Sequence, residues 1–218
     1  YTPVHIPEMI YSWRMHSQST SSNIKSKSYI QKSHKKTLQR FISNTKNKNI
    51  ELKLSPLFDQ GVDWQFKYKG KLPKIETIKL DKQLFAIEMT AIMNVIRDTK
   101  ADLIHFYFKD CIHIDSGWER DATALFTIFS DVVMVGGLVH DGHKIMDGPQ
   151  IFGFGSGAEC PDVGKPFMDH GYFAKLFKPH TVSAVPLHHS VVKTSFIKKI
   201  LPIIAKEKVR LNQLNHFI

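Results

Sequence analysis

The sequence predicts an α/β protein, a mostly parallel sheet with flanking helices, preceded by an N-terminal region of helix and short strands. Three observations predict it. From residue 75 onward, apolar runs of strand length alternate with segments whose apolar residues recur at helical spacing. The chain has 218 residues, 42% of them hydrophobic and 15 of them Phe, which is enough to bury a substantial core. Its longest apolar stretch, residues 200–205 with Pro202 inside, falls far short of the roughly 20 residues a bilayer span requires, so no transmembrane helix is expected.

Residues 1–13 read as a short extended piece, with Val4, Ile6 and Met9 to Tyr11 apolar around Pro3 and Pro7. The Ser/Thr/Asn cluster from Ser17 to Asn23 is a loop rich in helix-capping residues. Ile30, Leu38, Phe41 and Ile42 then mark one stripe of a helix whose other faces are basic, ended by Asn44 to Asn49. Alternation over 51–54 and 64–68 predicts two half-buried strands around a Pro/Gly/Asp turn region. Residues 69–74, with Gly70 and Pro73, form a linker, and the main boundary falls here: an extension over 1–70 and an α/β domain over 71–218. In that domain 75–80 is a strand, 85–99 a helix, 103–108 a buried strand, and 118–129 a helix with Ser116 as a capping candidate. An apolar strand follows over 132–139, then the turn dipeptide Asp141-Gly142. Residues 148–164 are glycine-rich, 181–185 and 190–192 resemble strand edges, and 195–217 closes the chain as a helix interrupted by Pro202.

The net charge of +10 is concentrated: residues 25–53 hold nine Lys or Arg against the single acid Glu51. Such a block attracts phosphate-bearing partners, and a solvated helix face is the competing explanation. Nucleic acid is disfavoured, because the block lacks the interleaved aromatic platform that single strands stack on. Cys111 and Cys160 have no CxxC partner, which argues against a disulfide framework or zinc ribbon and for a reducing compartment. The start resembles no secretory signal, and without an initiator Met the chain is expected to be a fragment or a processed product.

Open α/β sheets bind ligands at the C-terminal ends of their strands. Asp110, closing the run from Leu103 to Lys109, occupies such a place. His188 and His189 are adjacent on a strand and so face opposite sides, a poor arrangement for chelation. His140 and His143 flank a polar turn, Cys111 has no visible activating base, and Gly153 to Gly157 is followed by no helix pattern, which excludes a dinucleotide loop.

The stretch ADLIHFYFKDCIHIDSGW (101–118) resembles the segment of family 2 glycosyltransferases in which a hydrophobic strand runs into Asp-x-Asp and, eight positions on, a helix-opening Trp. Further matches follow in the family's order: DVVMVGG at 131–137, HDGHKIMDGPQIFGFG at 140–155, GYFAKL at 171–176 and TVSAV at 181–185. The N-terminal HIPEMIYSWRMHSQSTS (5–21) is similar to the element that follows the catalytic domain in the same enzymes, rhamnosyltransferase-like proteins of O-antigen and capsule biosynthesis. The order resembles the end of one module joined to the second module of a tandem enzyme, without the usual donor-base-binding opening.

The resemblance implies a partial GT-A nucleotide-diphospho-sugar transferase fold and an inverting transfer of sugar from a nucleotide-diphosphate donor to a glycan or lipid-linked acceptor. It implies Mg²⁺ or Mn²⁺ at Asp110, with His16 as a further ligand or proton partner. The donor diphosphate would meet Arg14, Ser19, Thr20 and Lys109, and residues 153–180 would line the acceptor side, where the acceptor would meet Trp118, Tyr172 and His180. Phe108 and Lys109 fill the first two places of Asp-x-Asp, and the family's Glu-Asp base motif has its counterpart in Glu207-Lys208, which makes Glu207 the candidate base. A catalytically degenerate module that binds glycan or a partner transferase is the alternative expectation. The implied setting is cytoplasmic, peripheral at the inner membrane face, with Lys25 to Lys53 toward anionic lipid or a partner transferase.

Overall fold

The structure, a computed structural model, describes residues 29–45, 47–57, 63–81, 88–112, 117–154 and 157–207. In chain order these form α1 (Tyr29–Asn44), β1 (Ile50–Leu54), β2 (Trp64–Tyr68), β3 (Ile75–Leu80), α2 (Glu88–Asp98), β4 (Leu103–Phe108) and α3 (Trp118–Ile128). Then come β5 (Met134–Gly136), β6 (Val139–His140), β7 (Ile145–Asp147), β8 (Ile151–Phe154), β9 (Gly157–Glu159), a short 3₁₀ helix (Tyr172–Phe177), β10 (His189–Lys193) and α4 (Thr194–Lys206). No helix among the described residues is long and apolar enough to cross a membrane.

The chain is a mixed α/β protein centred on a four-stranded sheet of order β3-β4-β10-β5. β3 and β4 are parallel and β10 runs antiparallel to both β4 and β5, so the sheet is mixed: three strands share one direction, as expected, and the reversed β10 between β4 and β5 leaves only one parallel pair among the described residues. A parallel neighbour needs a crossover connection, and α2 supplies one between β3 and β4. β10 instead arrives from the long glycine-rich region and enters in the opposite sense. Expected only as a strand edge, it lies in the middle of the sheet. The apolar strand expected over 132–139 is divided into β5 and β6. The edge expected over 181–185 is a single bridge, Gln150 to Ala184.

Strand alternation sends the side chains of β4 to opposite faces. Ile104, Phe106 and Phe108 join Ile78, Leu80, Ile92, Ile96, Val192, Ile197 and Ile204 in the main core beneath α2 and α4. Leu103 packs with Val191, Ala122 and Trp118 beneath α3. The helix expected over 195–217 is described as α4, with Pro202 inside it. Residues 69–74 are a linker in conformation but not an open hinge, because contacts cross residue 70. Lys67 pairs with Asp121 at 2.7 Å, and the Arg120 guanidinium donates to the carbonyl of Tyr68 at 2.8 Å.

Between β5 and β10 lies a lobe of two small hairpins, β6–β7 and β8–β9, and the 3₁₀ helix. The Asp141-Gly142 turn is as expected. The Asp141 carboxylate accepts from the N–H groups of His143 and Lys144, which holds it below its ordinary pKa, and Gly142 takes φ 96°. The apolar centre of the lobe is small: Ile145, Cys160 and Leu176, flanked by Leu138, Phe167 and Phe177. Burial pushes the Cys160 thiol above its ordinary value, so it packs as a small apolar group.

Candidate functional site at the sheet edge

The C-terminal ends of β3 and β4 hold two of the side chains that the sequence pointed to, Lys109 and Asp110, along with others that it did not. β4 ends at Phe108, and the N–H of Lys109 still donates to the Leu80 carbonyl at 3.0 Å, so the parallel pairing persists to the rim. The Cys111 N–H then closes a turn onto the Phe108 carbonyl at 3.0 Å, leaving Lys109 and Asp110 exposed at that rim. The Lys109 ammonium lies 3.4 Å from the carboxylate of Asp81, the first residue after β3. Asp81 is thus a second acid one strand away from Asp110. Its only sequence signal was that it follows a strand.

His189, the first residue of β10, and His188, just before it, lie on opposite sides of the sheet. His189 points toward α3: its Nδ1 is 2.9 Å from Nε2 of the buried His105, with Trp118 ring centroids 4.2 Å from His105 and 5.1 Å from His189. His188 lies against Phe108, ring centroids 4.7 Å apart, and its carbonyl accepts from the Phe108 N–H at 3.1 Å. His188 Nδ1 is buried and lies 3.2 Å from Asp147 Oδ2 without making a hydrogen bond to it. The other oxygen of Asp147 accepts from the Gly148 N–H at 2.8 Å and the Gln150 amide at 3.3 Å.

The remaining expected residues are dispersed. Trp118 packs onto the α3 face of the sheet rather than joining the rim. Tyr172 opens the 3₁₀ helix. His180 is exposed, with Nδ1 3.0 Å from the Lys178 carbonyl. Glu207 is exposed at the C-cap of α4, with its N–H donating to the Ile203 carbonyl. Arg14, His16, Ser19 and Thr20 lie outside the described residues, as does Ser116. Of the basic block, Lys32, Lys35, Lys36 and Arg40 lie exposed on α1, with Lys35 5.4 Å over the Trp64 ring.

A cavity of about 260 Å³ lies at the other end of β4, lined by Tyr68, Lys71, Pro73, Leu103, Thr123 and Phe126 among others. Among the described residues no group of three or more His, Cys, Asp or Glu side chains is placed to hold a metal ion. Mg²⁺ is commonly held by one or two carboxylates plus substrate phosphates, and the carboxylates at this rim are those of Asp110 and Asp81, the latter 3.4 Å from the Lys109 ammonium.

Comparison with protein-family models, with curated proteins and with solved structures finds no match to this chain.

Proposed function

We propose that the chain is a glycosyltransferase, or part of one, that transfers a sugar from a nucleotide-diphosphate donor to a glycan or lipid-linked acceptor in surface polysaccharide assembly. The observation that carries this reading is Asp110 at the C-terminal end of the buried strand β4, exposed at the rim of a parallel strand pair. That is where open α/β sheets receive ligands, and it is the segment whose sequence resembles family 2 glycosyltransferases. In an inverting transfer the acceptor oxygen attacks the anomeric carbon as the diphosphate leaves, so the protein must offset a departing double anion and accept one proton. Lys109 provides a cation at the rim, and Asp110 and Asp81 would hold Mg²⁺ or Mn²⁺. The ion would supply further positive charge to the leaving diphosphate. The exposed cations of α1, continuing the Lys25 to Lys53 block, favour a cytoplasmic setting at an anionic membrane face.

One observation favours the alternative, a degenerate module that binds glycan or a partner transferase. Phe108 stands where the Asp-x-Asp motif has its first acid, and the Lys109 ammonium is paired with one of the two available carboxylates. Calorimetric titration with Mn²⁺ and UDP or dTDP separates the two. The transferase reading expects binding heat that Asp110→Ala abolishes; silence with every nucleotide, alongside retained glycan binding, would leave the binding module.

A further inference from the structure

We infer that His188, oriented by Asp147, is the proton acceptor at this rim, an inference that rests on the transferase reading and replaces Glu207 as the base. A base must be held where the acceptor hydroxyl arrives. Glu207 is exposed at a helix C-terminus, and its carboxylate takes part in none of the described side-chain hydrogen bonds. His188 is fixed on three sides: its carbonyl is bonded to the Phe108 N–H, its ring lies tilted by 31° against that of Phe108, and its Nδ1 faces Asp147.

Asp147 is itself anchored. Gly148 and Gln150 occupy Oδ1, which turns Oδ2 toward the imidazole. A carboxylate at Nδ1 favours the tautomer with the proton on that nitrogen, leaving Nε2 as the basic one, and stabilises the imidazolium once it forms. The His188 side chain is 27% exposed although its Nδ1 is buried, so the exposed part of the ring lies away from Asp147. At 3.2 Å the two atoms are within reach of a hydrogen bond without making one in this structure, and catalytic hydrogen bonds are often poorly aligned before substrate binds. The charged groups along the same rim are Lys109, Asp110 and Asp81.

In the step, the acceptor O–H bond breaks and its proton passes to Nε2 of His188. The acceptor oxygen forms its bond to the anomeric carbon, and the bond from that carbon to the diphosphate oxygen breaks. The electron pair leaves on the nucleotide diphosphate, and the imidazolium, facing Asp147, later returns its proton to water.

The test uses the full chain with Mn²⁺. It follows release of UDP from UDP-glucose and dTDP from dTDP-rhamnose, with water and a panel of free sugars as acceptors, beside calorimetry with UDP and dTDP. His188→Ala and His188→Gln are expected to bind the nucleotides within about twofold of the unmodified chain. They should release them about 10²–10⁴-fold more slowly and lose the acidic limb of the pH–rate profile. Asp147→Asn should slow release less and displace that limb. Wild-type rates with an intact acidic limb in both His188 variants would overturn the inference and leave the transferase reading standing, and so would a loss of that limb in Glu207→Gln alone. No nucleotide binding and no turnover by the unmodified chain would overturn both.

Discussion

The sheet and the lobe that follows it are held together by different forces. Under α2 and α4, Ile104, Phe106, Val192, Ile197 and Ile204 are at most 1% exposed, and the face is a continuous layer of aliphatic and aromatic side chains. In the lobe between β5 and β10, three buried apolar residues form the centre, and the most buried acid of the described chain lies beside them. Asp162 is 1% exposed, with one oxygen 2.5 Å from the Lys165 ammonium and the other 2.8 Å from that of Lys175. These contacts tie the glycine-rich loop to the 3₁₀ helix. A region without a periodic apolar pattern has fixed its shape with charge. It therefore depends on pH and on single polar residues in a way that the face of the sheet under α2 and α4 does not.

The strongest way to break the comparison is to remove apolar volume from the sheet. Phe106→Ala should cost about 3–5 kcal/mol, because Phe106 is fully buried at the centre of a packed layer. Its urea midpoint should fall for the whole chain, with probes in sheet and lobe moving together. A loss confined to the sheet, or one below about 1 kcal/mol, would show that the layer is loosely packed.

Asp162→Asn is the corresponding change in the lobe, and it should act locally. Both lysines keep substantial exposure and can turn to water, so the cost should be about 1–3 kcal/mol rather than the larger penalty of a stranded buried charge. Burial pushes the Asp162 carboxyl up, but hydrogen bonds from Lys165 and Lys175 outweigh it, and the net pKa is depressed. A depressed folded-state value contributes stability above the unfolded carboxylate value of about 3.9, and that contribution is lost as pH falls through the folded value. Proteolysis of the 141–187 region should therefore be faster in the variant at pH 7, with the difference closing at acid pH. Equal cleavage at pH 7 would mean that the two ion pairs contribute nothing to the lobe.

The same division explains how much could be read from the sequence. β3, α2, β4 and α3 were legible within a few residues, because one face of each meets the core and its apolar spacing follows from that. The place of β10 was not, since its partners on β4 are about 84 residues away, the separation of the His105–His189 contact. Nor was its direction, which decides how much of the sheet is parallel. At the rim, Asp110 could be proposed because it ends a recognisable strand. Asp81, Asp147 and His188 acquire meaning only when β3, β7 and β10 are brought beside Phe108, and local spacing carries no trace of that. Asp162 gave no signal at all, because nothing in an irregular segment marks which acid will be enclosed.

The smallest expected effect is also the most discriminating, because its sign should be opposite to that of Asp162→Asn. Ser190 lies in β10 at the centre of the sheet, fully buried, and its Oγ finds no hydrogen-bond partner among the described residues. A hydroxyl withdrawn from water without a partner costs about 1–3 kcal/mol by mutational measures. Replacing it with hydrogen removes that cost but leaves a gap of roughly one atom, which returns part of the gain. Ser190→Ala should therefore raise stability by about 0.5–1 kcal/mol, seen as a higher urea midpoint with unchanged slope. In the lobe, deleting a buried polar function should loosen the fold, whereas in the sheet it should tighten it. If Ser190→Ala instead lowers the midpoint, the hydroxyl is satisfied in solution and the sheet too draws on polar contacts, which would erase the distinction between the two regions.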